Sequence, residues 1–83
     1  MFVGRYRFDF GVVAITREGT TLRAQRTDMA RAQALPIFPE APLTFFWKAV
    51  DAQIRFTTDS RGAVTGAELT QSGQSFAAER VMP

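Results

Sequence analysis

Ile54 to Val81 reads IRFTTDSRGAVTGAELTQSGQSFAAERV. It divides into three short strands joined by two tight turns, Asp59-Ser60-Arg61-Gly62 and Ser72-Gly73. In the first strand Ile54 and Phe56 point one way, with Ala52 before them, while Gln53, Arg55 and Thr57 point the other. Strict period two marks a strand with one buried face. The first turn has Asp first and Gly last, the preferred placement for type I. After it Val64 and Leu69 are both apolar but fall on opposite parities. The register must therefore shift between them, and Gly66 is the candidate for a bulge near Thr65-Gly66. The last strand, Gln74 to Val81, turns Phe76 and Ala78 inward. Met82 and Pro83 are expected to fray.

The upstream chain repeats this grammar. Phe2, Tyr6, Phe8 and Phe10 share one face with Gly4, while Arg5, Arg7 and Asp9 share the other. Val13 and Ile15 follow as inward positions, and Glu18-Gly19 reads as a hairpin turn. Leu22 and Ala24 then face inward, with Arg23 and Gln25 outward. Thr27 to Ala34 has two readings, a single helical turn capped by Asp28 or a loop into a short strand from Gln33 to Phe38. The loop is preferred, because so short a helix is marginal. Pro36, Pro39 and Pro42 argue against a central, fully paired strand and for an edge, a corner or a connection over a barrel mouth. Leu43, Phe45 and Trp47 share a face, Phe46 takes the other, and residues 49–51 turn the chain.

Seven or eight short strands with a turn every eight to twelve residues describe a sandwich or a barrel. Short connections favour an up-and-down meander, and closure removes exposed strand edges. The expected fold is all-β, a small antiparallel up-and-down barrel or half-barrel. The 83 residues allow one domain, expected to be part of a larger chain.

Composition removes several kinds of chemistry. Cysteine and histidine are absent. Disulfides, thiolate metal sites, thiol nucleophiles and Ser-His-Asp machinery are therefore excluded. The only lysine, Lys48, does not follow a serine at the spacing of a Ser-x-x-Lys nucleophile. No glycine-rich phosphate loop occurs. The carboxylates stand singly, and Asp59 is read as turn chemistry rather than the start of a calcium loop. No catalytic residue, metal site or cofactor is expected. The net charge is +2, and nine of the ten cations are arginines. They are scattered among carboxylates and form no run, so most are read as solvated strand faces and nucleic acid is not an expected partner. No apolar run is long enough to span a bilayer and no signal-peptide pattern opens the chain, which leaves the compartment open and gives no membrane partner.

The aromatic row of Phe2, Tyr6, Phe8, Phe45, Trp47, Phe56 and Phe76 has three readings: core, ligand cavity or interface. In so short a chain the side chains are expected to fill the barrel, which favours core. A cavity would need about 300 Å³ to hold a drug-sized ligand. Phe38 and Phe46 fall off the inward parity, and together with Trp47 they are the candidate interface.

Several stretches carry a resemblance. They are Phe2-Val3-Gly4-Arg5-Tyr6, Leu22-x-Ala24-Gln25, Pro39…Phe45-Phe46, Phe56-x-x-Asp59-x-x-Gly62-x-Val64-x-Gly66, Gln71-x-Gly73 and Arg80-Val81. Together they resemble the small lipocalin-like C-terminal barrel, a domain of unknown function, that follows serine hydrolases of the β-lactamase and penicillin-binding-protein superfamily. Phe2 stands where that module usually has Tyr. The resemblance implies a non-catalytic accessory domain that packs on a hydrolase domain, shapes substrate access or mediates self-association. It carries over no catalytic residue. The alternative reading is a barrel that binds a small hydrophobic ligand.

Overall fold

The computed structural model describes residues 1–29 and 31–82, with only the backbone described at Met82. Within them lie eight antiparallel strands: β1 Gly4–Phe8, β2 Gly11–Glu18, β3 Thr21–Arg26, β4 Leu35–Ala41, β5 Thr44–Trp47, β6 Ala52–Thr58, β7 Val64–Gln71 and β8 Gln74–Met82. Each pairs with the next, and β1 pairs with β8 to close the barrel. The up-and-down expectation holds in its closed form. Closure satisfies the backbone of the first and last strands, the usual hazard of an open sheet.

Alternation sets the core as read from the chain. In β1 the buried residues are Gly4, Tyr6 and Phe8, and in β6 they are Ala52, Ile54 and Phe56. Val13, Ile15, Ala24, Ile37 and Phe45 complete most of the interior. The register shift in β7 is present. Thr57 pairs with Gly66 but Thr58 pairs with Val64, leaving Thr65 as the extra residue. That bulge brings Val64 inward beside Ala67 and Leu69, and all three are buried. Gly66 is required there by space: a Cβ would lie 2.4 Å from the Ala78 carbonyl oxygen of β8.

The turns follow local chemistry. The Gly62 amide donates to the Asp59 carbonyl at 3.0 Å, and Asp59 Oδ1 accepts from the Arg61 and Ala63 amides at 2.8 and 3.0 Å. Asp59 thus holds the β6–β7 turn with both its backbone and its side chain. Ser72-Gly73 makes the β7–β8 hairpin, with Gln71 opposite Gln74. The β2–β3 turn sits one residue later than Glu18-Gly19. Glu18 still pairs with Thr21, so Gly19 and Thr20 form the loop.

Two expectations are corrected. β4 runs to Ala41 and is paired on both sides, because a closed barrel has no edge to assign it to. Its prolines act by shortening the ladders. Only three residue pairs join β3 to β4, and the β4–β5 register slips between Pro39 and Ala41. At the other terminus the β8 backbone extends to Met82, opposite Arg5, instead of fraying before it. Pro83 lies outside the described residues. Residues 27–29 and 31–34 form bends, a turn and coil, in keeping with the loop reading.

Candidate binding cup at the open end

The meander places the β1–β2, β3–β4, β5–β6 and β7–β8 connections at one end of the barrel. The N-terminus and the remaining turns lie at the other end. The two ends differ in how the lumen is filled.

At the N-terminal end the lumen is closed. Phe2 packs on Phe45 and Phe56 with ring centroids 5.3 and 4.6 Å away. Phe56 also meets Tyr6 at 5.3 Å and Phe45 at 5.7 Å. These rings come from facing walls, β1 with the segment before it and β5–β6, so they fill the space between. The Tyr6 hydroxyl donates to the Phe2 carbonyl at 2.7 Å. Arg80 shares the inward parity of Phe76 and Ala78. Its guanidinium donates to the Val3 carbonyl at 2.7 Å and the Val64 carbonyl at 3.2 Å. Burial raises the Tyr6 phenol pKa, and the nearby Arg80 charge only partly opposes this. Arg80, read from sequence as a solvated position, thus ties β8 to the start of β7 and to the segment before β1 at this end.

The opposite end is open. A cavity of about 500 Å³ is lined by Phe8, Phe10, Val13, Ala24, Leu35, Trp47, Val50, Ala52, Ile54, Leu69 and Phe76, with Arg26, Ala32, Gln33 and Gln71 also on its wall. This overturns the expectation of a filled interior. The physical reason is the placement of the rings. Phe8 and Phe10 stack at 5.0 Å and Phe10 meets Phe76 edge-on at 5.9 Å. All three belong to the β1–β8 side and lean on one another along it. The inward positions on β3 and β6 near this end are Ala24 and Ala52, too small to reach across, and Trp47 on the facing β5 meets none of the three rings among the described residues.

The polar wall residues have a legible origin. Arg26 is in phase with Leu22 and Ala24 on β3 and pairs with the inward Val13. Gln71 is in phase with Leu69 and pairs with the inward Ala52. Both sit where a strand leaves the barrel, so their heads stay near water while their stems face the lumen. The Arg26 guanidinium carbon lies 4.5 Å from the Phe10 ring centroid. Asp28 also holds it, Oδ1 3.1 Å from Nε and Oδ2 2.6 Å from Nη2. That hydrogen-bonded pair lowers the Asp28 carboxyl pKa and raises that of Arg26. Gly11 makes the approach feasible. A Cβ there would lie 2.7 Å from Asp28 Cβ, and its φ of +142° also favours glycine.

The three candidate interface residues part company. Phe38 and Phe46 do pair on the outer surface, with centroids 5.9 Å apart and Lys48 Nζ 4.3 Å from the Phe38 ring centroid. Trp47 packs against the core and lines the cup. Sequence reasoning placed Ala24 and Ala52 inward but missed the space they leave. It also missed Arg26 and Gln71, although their parity with inward neighbours carried the signal. Elsewhere on the outer face Arg7–Glu79, Arg23–Glu18 and Arg55–Glu68 ion pairs take up cations, and Gln53 donates to Glu40 at 2.9 Å. Among the described residues no three Asp or Glu side chains come together. No family model, curated protein or solved structure matches the chain.

Proposed function

We propose that this barrel binds a small apolar ligand in the cup at its open end and catalyses no reaction by itself. The observation that supports this is the cup: about 500 Å³ of mostly hydrophobic wall opening to solvent through a few polar groups. Sites that take drug-sized ligands have volumes of about 300–1,000 Å³, apolar walls and a small number of placed polar groups. Association would bury aromatic and aliphatic surface at about 25 cal/mol per Å² of apolar area. The closed end makes the cup a blind pocket and fixes the direction of entry.

Trp47 is the only tryptophan and lines the cup, so it reports on occupancy. Titration with N-phenylnaphthylamine should quench Trp47 saturably with one site per chain. Ala24→Phe should remove that response while leaving the barrel folded by circular dichroism. A linear, non-saturating response in the wild type would reject the proposal.

A second reading has its own support in the Phe38–Phe46 pair, an aromatic surface on the outside of β4 and β5. It takes the barrel as an accessory domain seated on a serine hydrolase domain or on a second copy of itself. Sedimentation of the chain alone and with such a hydrolase domain tests this. Association lost in Phe38→Ser with Phe46→Ser would favour it, and no association in either mixture would end it.

A further inference from the structure

We infer that the cup selects amphiphiles bearing a single carboxylate, with Arg26 receiving the head group and Asp28 acting as a positioning residue. This rests on the reading of the cup as a ligand site and names the chemistry of its occupant. Three observations carry it.

First, polarity is segregated. The deeper wall is formed by Ala24, Ile54 and Leu69, whereas Arg26, Gln33 and Gln71 lie where strands or the β3–β4 connection reach the opening. A bound molecule would keep its apolar part inside and its polar group at the rim. Second, among the described residues Arg26 is the only charged residue on the wall, and no carboxylate lines it. The carboxamides of Gln33 and Gln71 can also donate. An acceptor head suits this rim, and an ammonium head would face a guanidinium.

Third, Arg26 is already oriented. Asp28 engages Nε and Nη2, and the Phe10 ring supports the guanidinium plane. Nη1 has no hydrogen-bond partner among the described residues, so its donors remain for a ligand. Two anchors reduce the side-chain freedom that binding would otherwise remove. The Arg26 side chain is 44% exposed, so its charge keeps its hydration and a bound carboxylate would keep part of its own. The full penalty of burying an ion pair is therefore avoided. Asp28 offsets some of the attraction, which limits the expected preference and gives a handle for testing it.

The experiment compares decanoate with decanol at neutral pH, below their aggregation limits, by Trp47 fluorescence and calorimetry on the whole chain. The wild type should bind decanoate about tenfold more tightly, and added salt should shrink that margin. Arg26→Gln should bring the two affinities together by weakening decanoate alone. Asp28→Asn keeps an acceptor for the guanidinium but removes the competing charge, so it should tighten decanoate severalfold and leave decanol unchanged. Equal wild-type affinities, or equal losses of both ligands in Arg26→Gln, would overturn the carboxylate inference while leaving the cup as a ligand site. Failure of both ligands to bind the wild type would remove the ligand reading itself. The wild-type comparison and its salt dependence decide the matter even if a variant does not fold.

Discussion

The two ends of this barrel draw on the same side-chain types and reach opposite results. At the closed end Phe2, Phe45, Phe56 and Tyr6 project from facing walls and meet in the lumen. At the open end Phe8, Phe10 and Phe76 line up on one side, the facing Trp47 meets none of these rings among the described residues, and alanines hold inward positions of β3 and β6. Counting aromatic residues therefore does not tell whether a small barrel is full. What matters is whether large side chains at one level come from opposing strands. The closed end is a core in the energetic sense, and the open end leaves apolar surface exposed around a cavity.

Unequal responses to truncation should show this difference most strongly. Phe56 is 1% exposed and touches three other rings. Phe56→Ala should cost about 3–5 kcal/mol in chemical denaturation. Phe76→Ala, at the half-filled end, should cost less than half as much. Similar losses at both positions would break the distinction between the ends.

Gly66→Ala probes the bulge that turns Val64 into the closed end. The added methyl would meet the backbone oxygen of Ala78, which cannot rotate away, so the β7–β8 ladder must shift. A loss of about 3 kcal/mol is expected from overpacking of this kind, with faster amide exchange along β8. Wild-type stability in this variant would mean that β7 and β8 do not approach so closely.

Enlarging alanines tests the same contrast in the opposite direction. Ala67 is buried beside Val64 and away from the cup, so Ala67→Leu should destabilise by about 1–3 kcal/mol. Ala24→Leu extends into existing space. It should change stability by less than about 1 kcal/mol while weakening ligand binding. Thermal melts with parallel probe titrations read both effects.

The smallest effect concerns Tyr6. Tyr6→Phe removes one hydrogen bond and should cost about 1 kcal/mol near neutral pH. In the wild type, burial raises the phenol pKa above its ordinary value. A folded-state pKa raised in this way favours the native state at low and neutral pH. That contribution is lost as pH rises through the folded value, above about 10. The variant should lack this part of the alkaline decline. Identical stability–pH curves for both proteins would show that the ring is not desolvated.

Much of this architecture was legible in the chain. Alternation identified the inward residues of β1 and β6, and conflicting parities of Val64 and Leu69 located the bulge before any pairing was known. Asp59 and Gly62 marked their turn by residue type alone. The cup was not legible, because period two reports which way a side chain points and says nothing of what stands opposite. Ala24 and Ala52 qualify as inward residues whether a ring covers them or not. The inward phase of Arg26, Gln71 and Arg80 was less legible, because charged and amide residues usually face water. Their parity with inward neighbours says otherwise at strand ends, where a long stem can face the lumen and still deliver its head to water or to a carbonyl. The Asp28 clamp depends on a contact with Gly11 across the β1–β2 and β3–β4 connections, which no local pattern encodes.

The account turns on the proposal that the open end takes a ligand and the closed end does not, and methyl-resolved NMR during a decanol titration tests this most directly. Val13, Ile54 and Leu69 should shift saturably with one site per chain, while Ile15 and Val64 stay within error of their free positions. Shifts spread evenly over both groups, or none at saturating decanol, would contradict it.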